Sequence, residues 1–218
     1  MIHQEGNNYR GDLGGPRENG PIVVGVTGAS GVIYAQKLVE TLLEMQREVM
    51  LVVSAAGRRV IQEELPPRAG EDPWGDTNRH LLSIHPERDI GAPYCSGSCR
   101  FLGMVLIPAS MGTVGAVANG VSTNGIHRGA EVALKERRRL VVVPRETPLS
   151  TIHLENLLAL ARAGAIILPP SPGFYHGPTT MDDLVKFVVS RTLDALGIDN
   201  DLVQRWGETT LDEGGRTL

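Results

Sequence analysis

The stretch that decides the fold is Ile22-Val23-Val24-Gly25-Val26-Thr27-Gly28-Ala29-Ser30-Gly31, residues 22–31. Its first half is an apolar, β-branched run that is typical of a buried strand. Its second half is a glycine- and hydroxyl-rich turn, after which a helical pattern continues to about Met45. A strand that passes through a tight turn into a helix begins a βαβ unit, so this stretch predicts parallel strands.

The same alternation repeats along the chain. Further strands are predicted at 48–53, 102–107, 139–143 and 165–168, with helices at 55–65, 114–118, about 129–137, 151–163 and 181–196. Residues 66–100 are rich in Pro, Gly, Asp and Arg, and we expect an irregular excursion there with a short helix around 77–84. We expect Pro108 to end the third strand. The alternation predicts one α/β domain, a doubly wound, mainly parallel sheet with helices on both faces.

The last helix has the clearest pattern. Its apolar residues recur at helical spacing and predict one buried face: Met181, Leu184, Val185, Val188, Val189, Leu193 and Leu196. Thr180 and Asp183 resemble a capping box at its start, and Gly197 supplies its stop, as Gly164 does for the helix before it.

Composition excludes several classes of protein. The formal net charge is −4 and aromatic residues make up 4% of the 218 residues, which argues against a general polyanion binder or a protein that stacks on nucleic-acid bases. We expect no membrane span, because no apolar run approaches the ~20 residues required. The first 20 residues lack the apolar core of a signal peptide and predict a disordered leader, followed by a domain at 21–207 and a tail at 208–218. Two cysteines and no export signal predict a cytoplasmic protein.

Unusual residues cluster where the predicted strands end, which is where ligands bind in parallel sheets. Glycines there let the backbone approach a ligand closely, and hydroxyl side chains can bond a phosphate or the polar edge of a flavin. The alternatives are an ordinary tight turn in the first loop and helix capping by the hydroxyls. The candidates are Gly28, Ala29 and Ser30 in the first loop, Ser54 in the second, and Ser110, Met111, Gly112 and Thr113 in the third.

Four basic residues predict an anion site when taken together: Arg128, Lys135, Arg145 and Arg191. Arg128 and Lys135 are seven residues apart on a helix and share a face, while Arg191 flanks the apolar face of the last helix. A guanidinium near a buried face usually needs an anionic partner. The alternatives are structural ion pairs of Lys135 with Glu131 and of Arg145 with Glu146. The run 137–139 is expected to be solvated.

Two acids, Glu64 and Glu146, lie beside these loops and are candidates for proton transfer, with solvated side chains as the alternative. The histidines show no ligand spacing, and the chain has no Asp-rich magnesium motif, so we expect no metal site.

The strand-end segments together resemble one family, the flavin prenyltransferases. The resemblance runs from about residue 21 to 207 and is most specific in the later segments. The segments are VTGASGVIYA (26–35), VVSAAG (52–57), SGSCRFLGMVLIPASMGT (96–113), ALKERRRLVVVPRETPLS (133–150), HLENLLALARAGAIILPPSPGFYH (153–176) and the residues around Arg205-Trp206-Gly207. Ala109 stands where the family often has Cys, and 66–95 match little.

The resemblance implies a flavodoxin-like, Rossmann-type fold and a set of roles. The three loops and Arg145 would bind FMN, and Tyr175 and Arg191 would hold a prenyl phosphate together with Arg128. Glu64, Lys135, Glu146 and Trp206 would be catalytic. The implied reaction joins the dimethylallyl group of dimethylallyl phosphate to N5 and C6 of reduced FMN without a metal.

The implied product, prenylated FMN, would serve a partner decarboxylase, and the implied assembly is a homo-oligomer, commonly a dodecamer. Two alternatives stay open. One is the related class of FMN-dependent cysteine decarboxylases, and the other is a non-enzymatic flavin carrier.

Overall fold

The computed structural model describes residues 20–65 and 72–207. The predicted leader, apart from Gly20, and the predicted tail lie outside the described residues, as do positions 66–71 of the expected excursion.

A parallel sheet organises the described residues, with its six strands in the order β3-β2-β1-β4-β5-β6. Its strands are β1 (Ile22–Val26), β2 (Val49–Val53), β3 (Leu82–Pro86), β4 (Gly103–Ala109), β5 (Arg139–Pro144) and β6 (Ile166–Ile167). Ile22 aligns with Val49 on one side and with Gly103 on the other. Chain order runs outward from β1 in both directions, which confirms the doubly wound, Rossmann-type prediction.

Helices cover both faces of the sheet. They are α1 (Val32–Glu44), α2 (Ala55–Glu64), α3 (Met111–Ala118), α4 (Gly125–Lys135), α5 (Thr151–Arg162) and α6 (Met181–Leu196). Alternate strand residues point to opposite faces, so Val24 packs in one core with α1 and α6, while Val23 packs in the other with α3, α4 and α5. None of the helices in the described ranges is both long and apolar enough to cross a membrane.

The prediction of a helix around 77–84 is wrong. A single 3-10 turn at Arg79–Leu81 leads into β3, which pairs with β2 from Leu82 to Pro86. β3 is an edge strand with Ser83 and Ile84 exposed, so it lacks the continuous apolar run of a buried strand.

The prediction that Pro108 ends its strand is also wrong, because β4 continues through Ala109. Proline has no N–H to donate, and the register with β5 is irregular between Leu106 and Ala109. The Pro108 carbonyl is nevertheless used, since it accepts bonds from the backbone and the side chain of Thr27.

The last helix agrees with its prediction at both ends. Thr180 and Asp183 form a capping box, and Gly197 adopts the left-handed conformation at φ 71°. The predicted buried face is correct for five residues, Val185, Val188, Val189, Leu193 and Leu196. The other two predicted residues are not buried: Met181 lies in the first turn and is 69% exposed, and Leu184 is half-buried.

Candidate active site

The predicted loops meet at the carboxyl edge of the sheet. The buried Thr27 hydroxyl donates to the Pro108 carbonyl at 2.8 Å and accepts from the Ser110 backbone N–H at 2.7 Å, which ties the first loop to the third. A Cβ on Gly28 would lie 2.4 Å from the Cβ of Ala56, so only glycine allows the first loop to approach the second this closely. Sequence reasoning did not single out Thr27, although its place directly after β1 was a signal.

The start of α1 is capped by the carboxylate of Glu64, which is distant in the sequence. Gly31 precedes α1 without a side-chain cap of its own, and the Glu64 carboxylate accepts from the backbone N–H groups of Gly31 at 2.8 Å and Val32 at 3.1 Å. Burial alone would raise the pKa of Glu64, but the Ser30 hydroxyl, these two amides and the charge of Arg145 together lower it. Glu64 is therefore held as an anion where an N-terminal helix dipole favours one.

Arg145 joins the first loop from the end of β5. Its Nε donates to the Ser30 carbonyl at 3.2 Å, so Arg145 bonds to the first loop and does not form the alternative ion pair with Glu146. Glu146 accepts instead from the Thr147 backbone N–H at 3.0 Å. These groups line one cavity of about 590 Å³, whose walls include Ser30, Gly31, Tyr34, Glu64, Pro144, Arg145, Glu146, Leu149, Leu157 and Pro169. The structure thus brings Ser30, Glu64, Arg145 and Glu146 together.

The hydroxyls of the second and third loops cap helices. Ser54 accepts from the Gly57 backbone N–H at 2.9 Å, and Ser110 accepts from that of Thr113 at 3.4 Å. Ser110 also donates to the Thr113 hydroxyl at 3.1 Å. Capping accounts for these contacts. The Ser54 hydroxyl, which accepts a bond from Gly57, can still donate its own proton to a ligand, whereas that of Ser110 is directed to Thr113.

Three further loop positions differ in their exposure. Ala29 and Met111 are buried and support their loops. Gly112 is exposed, and a Cβ there would meet nothing within 4 Å, so its backbone is open to a ligand.

Glu87 lies at the carboxyl edge of the sheet and was not among the residues predicted from the sequence. Its carboxylate accepts from the Ala55 backbone N–H at 2.8 Å and from Arg58 at 3.2 Å, so it caps α2 as Glu64 caps α1. Glu87 directly follows β3, and recognising that strand would have marked it as an acid at a strand end.

Arg128 and Lys135 form a second group, on α4. Arg128 donates to the Cys95 carbonyl at 3.3 Å and pairs with Glu131 at 3.0 Å. Lys135 pairs with Glu136, not with Glu131 as the alternative proposed, and its ammonium lies beside Gly97. Both therefore lie along the 95–97 segment, on the shared face of α4 that their helical spacing predicts.

Tyr175, Arg191 and Trp206 form a third group, beside α6. The rings of Tyr175 and Trp206 meet edge to face with centroids 5.3 Å apart, and Arg191 pairs with Asp194 at 2.7 Å. Trp206 is 80% exposed. The helix α4 packs in one core and α6 in the other, so the sheet separates the second group from the third within one protomer.

One basic residue departs from its prediction. Arg138 was expected in a solvated run, but it is buried, stacks on Phe101 at 4.2 Å and donates to the Gly97 carbonyl at 2.7 Å. The chain turns from α4 into β5 at this point, which brings the arginine under the 96–101 loop. Across the described ranges, no three His, Cys, Asp or Glu side chains are grouped so that they could hold a metal ion.

Comparison with known proteins gives a consistent result. A family model described as Flavoprotein matches residues 13–193. The flavin prenyltransferase UbiX of Methanocaldococcus jannaschii is 46% identical over 186 residues, which are 85% of this chain and 98% of that protein.

Solved structures agree. A UbiX structure (AnUbiX) in complex with FMN and dimethylallyl pyrophosphate is 40% identical with a TM-score of 0.80, covering 87% of this chain and 98% of its own. A dodecameric FMN-dependent UbiX-like decarboxylase from Escherichia coli O157:H7 is 42% identical with a TM-score of 0.78, covering 86% and 100%. Peptidyl-cysteine decarboxylase EpiD, at 16% identity and a TM-score of 0.54, shares the fold alone.

Proposed function

The chain belongs to the flavoprotein family and, within it, to the flavin prenyltransferases, and we propose that it joins the dimethylallyl group of dimethylallyl phosphate to N5 and C6 of reduced FMN. The observation that best supports this is the cavity where Ser30, Glu64 and Arg145 meet at the carboxyl edge of the sheet. Its volume of about 590 Å³ falls in the range of cofactor and substrate pockets.

The residues of this edge fit a flavin nucleotide. Arg145 offers a cation, and the open backbone at Gly112 allows close approach to the start of α3, where a helix favours negative charge. We assign FMN to Gly28, Ala29, Ser30, Ser54, Ser110, Met111, Gly112, Thr113 and Arg145. Reduced FMN, as a substrate, supplies the electron pairs for the two new carbon bonds.

The protein residues have separate roles in the proposed reaction. The bond from N5 forms as the donor's C–O bond breaks. Inorganic phosphate leaves with that electron pair, and Arg128, Lys135 and Arg191 stabilise the charge that develops on it. The bond from C6 forms at the far carbon of the prenyl C=C bond, whose other carbon takes up a proton while C6 loses one. The faces of Tyr175 and Trp206 stabilise the allylic cation, by about 0.5–2 kcal/mol. Glu64 is held ionised and accepts a proton, and Glu146 is the second candidate for proton transfer.

These roles require more than one copy of the chain. Arg128 and Lys135 lie on the face opposite Arg191 and Tyr175, so one protomer cannot place both groups on the same phosphate. We propose a homo-oligomer, commonly a dodecamer in this family, in which neighbouring copies complete the site. The dodecameric E. coli relative supports this assembly.

The helix α5 offers the surface for such a contact. Ile152, Leu154 and Leu158 are 68%, 53% and 49% exposed, whereas Leu160 is its only fully buried residue. Leu157, which shares one side of α5 with Leu154 and Leu158, lies together with Leu149 in the wall of the candidate flavin cavity. We propose that a second copy packs on α5 beside that cavity.

Three finer assignments stay predictions: a cytoplasmic setting, transfer of the product to a prenylated-FMN-dependent decarboxylase, and the monophosphate form of the donor. The cysteine decarboxylase alternative has only a likeness of fold behind it. A flavin carrier would need the FMN loops but not the basic residues Arg128, Lys135 and Arg191, so the carrier alternative does not explain their presence.

One experiment tests the proposal. The protein is mixed without oxygen with reduced FMN and dimethylallyl phosphate, with and without EDTA, and the released flavin is weighed by mass spectrometry. We expect a flavin heavier by one five-carbon prenyl unit under both conditions. Unmodified flavin with an unconsumed donor would favour the carrier, and carbon dioxide release from a peptide ending in cysteine would favour the decarboxylase.

A further inference from the structure

Asp194 on α6 binds two arginines at once. Arg191 Nη1 donates to Asp194 Oδ2 at 2.7 Å. Arg205 donates to both carboxylate oxygens, from Nη2 to Oδ1 at 2.9 Å and from Nη1 to Oδ2 at 3.3 Å. Asn200 adds a bond to Oδ1 at 3.0 Å, and its carbonyl accepts from Arg205 at 3.2 Å. The Asp194 side chain is 18% exposed, against 56% and 44% for the two arginines, so the carboxylate lies beneath the guanidinium groups.

The two arginines face a small cavity of about 150 Å³. Its walls combine aromatic rings with charge: Tyr175, Phe187, Arg191, Asp194, Arg205 and Trp206. Of the described residues that line this cavity, two carry a guanidinium group and one carries a carboxylate, so the lining holds one more positive than negative group. A cavity with apolar rings and net positive charge suits a small apolar group that carries an anion.

We propose that Arg205 is a second guanidinium for the prenyl phosphate, and that Asp194 is the positioning residue that holds Arg205 and Arg191 side by side. The identity of the ligand rests on the proposed function. A shared carboxylate fixes the spacing and orientation of the two guanidinium groups before the phosphate binds. This lowers the entropic cost of ordering the two arginine side chains on binding. Arg191 uses one of its five N–H donors in the bond to Asp194, so other donors of the same group can bind a phosphate.

The first test is Arg205→Gln, with Arg59→Gln as its matched control. Arg59 is an exposed arginine on α2 that also has a carboxylate partner, Glu63 at 3.1 Å. In the FMN-loaded protein we expect Arg205→Gln to raise the KM for dimethylallyl phosphate about tenfold or more, the loss typical of one charge-assisted hydrogen bond. FMN affinity should stay unchanged. Arg205→Lys should restore part of the lost donor affinity, because lysine returns the positive charge but not the bidentate geometry of a guanidinium group.

Asp194→Asn separates positioning from simple folding support. Removing this carboxylate raises the ordering cost of donor binding but also raises the positive charge of the cavity. Because the two effects oppose each other, donor KM should change little, whereas kcat should fall because the guanidinium groups lose their common anchor. A role in stability alone predicts a lower melting temperature with KM and kcat equal to those of the Arg59→Gln control. That pattern in both Arg205→Gln and Asp194→Asn would overturn the proposal.

Calorimetric titration of the FMN-loaded protein with inorganic phosphate and with dimethylallyl phosphate keeps this inference distinct from the proposed function. If wild type binds the donor without forming product, and Arg205→Gln weakens that binding, the reaction assignment fails and the role of Arg205 stands. If wild type forms prenylated flavin and Arg205→Gln binds and turns over like the control, the role of Arg205 fails and the reaction assignment stands.

Discussion

At the scale of single residues, Glu64 links stability to pH. Its pKa is lowered in the folded protein, so the stabilisation is fully present above the ordinary carboxyl pKa and is lost as pH falls through the lowered value. We therefore expect Glu64→Gln to melt below wild type at neutral pH, with the difference disappearing in acid. Thermal melts across the acidic range measure this. The control is Glu63→Gln, the neighbouring exposed acid, and an equal difference between Glu64→Gln and wild type at every pH would contradict the prediction.

The sequence was sufficient to identify such residues but not their contacts. The loops around Ser30, Ser54 and Ser110 were predictable because glycine and hydroxyl residues directly follow buried strands. The bond from Glu64 to the start of α1 was not predictable, because it joins the end of one helix to the start of another 32 residues earlier. Only the packing of α2 beside α1 creates that contact.

At the scale of elements, the start of α6 depends on Asp183. Its carboxylate accepts from the backbone N–H groups of Thr179 and Thr180, both at 2.9 Å, and these bonds lower its pKa to about 2. The stabilisation is present above the ordinary Asp pKa and is lost as pH falls through about 2. Asp183→Asn should lower the melting temperature at neutral pH, and the gap should narrow steadily in strong acid. Asp76→Asn, an exposed acid outside the helices, should melt like wild type throughout.

Elements differ in how far a sequence predicts them. The helix α6 was predictable at both ends because periodicity, capping box and glycine stop all agree. The strand β3 was missed because it is paired on one side and exposed at Ser83 and Ile84, so its residues show no apolar run. The strand β4 was predicted too short at Pro108, because the missing N–H of proline ends a strand only where a ladder bond requires that N–H.

At the scale of the whole molecule, the sequence predicted candidate site residues but not how the fold divides them between the faces of the sheet. Arg128 and Arg191 were grouped on chemistry, since both are basic residues near apolar faces. The fold places them on opposite faces of the sheet, through α4 and α6. Sequence periodicity reports only that a helix has a buried side, and the side of the sheet that it covers is set by the path of the chain. A site assembled from several copies reconciles the shared chemistry with the separation.

That assembly makes a prediction about the apolar face of α5. If a second copy packs there, Ile152→Lys or Leu158→Lys should dissociate the oligomer, because each places a charge in the contact and forfeits the roughly 1.5–3 kcal/mol of burying such a side chain. Prenyl transfer should fall together with the assembly size measured by light scattering, because a separated protomer lacks one of the two basic groups. Ile90→Lys is the control, since Ile90 is exposed to the same degree, 69% against 68% for Ile152, but lies in the loop after β3. A wild-type protein that is monomeric and fully active would show that one copy suffices, and the two basic groups would then need separate explanations.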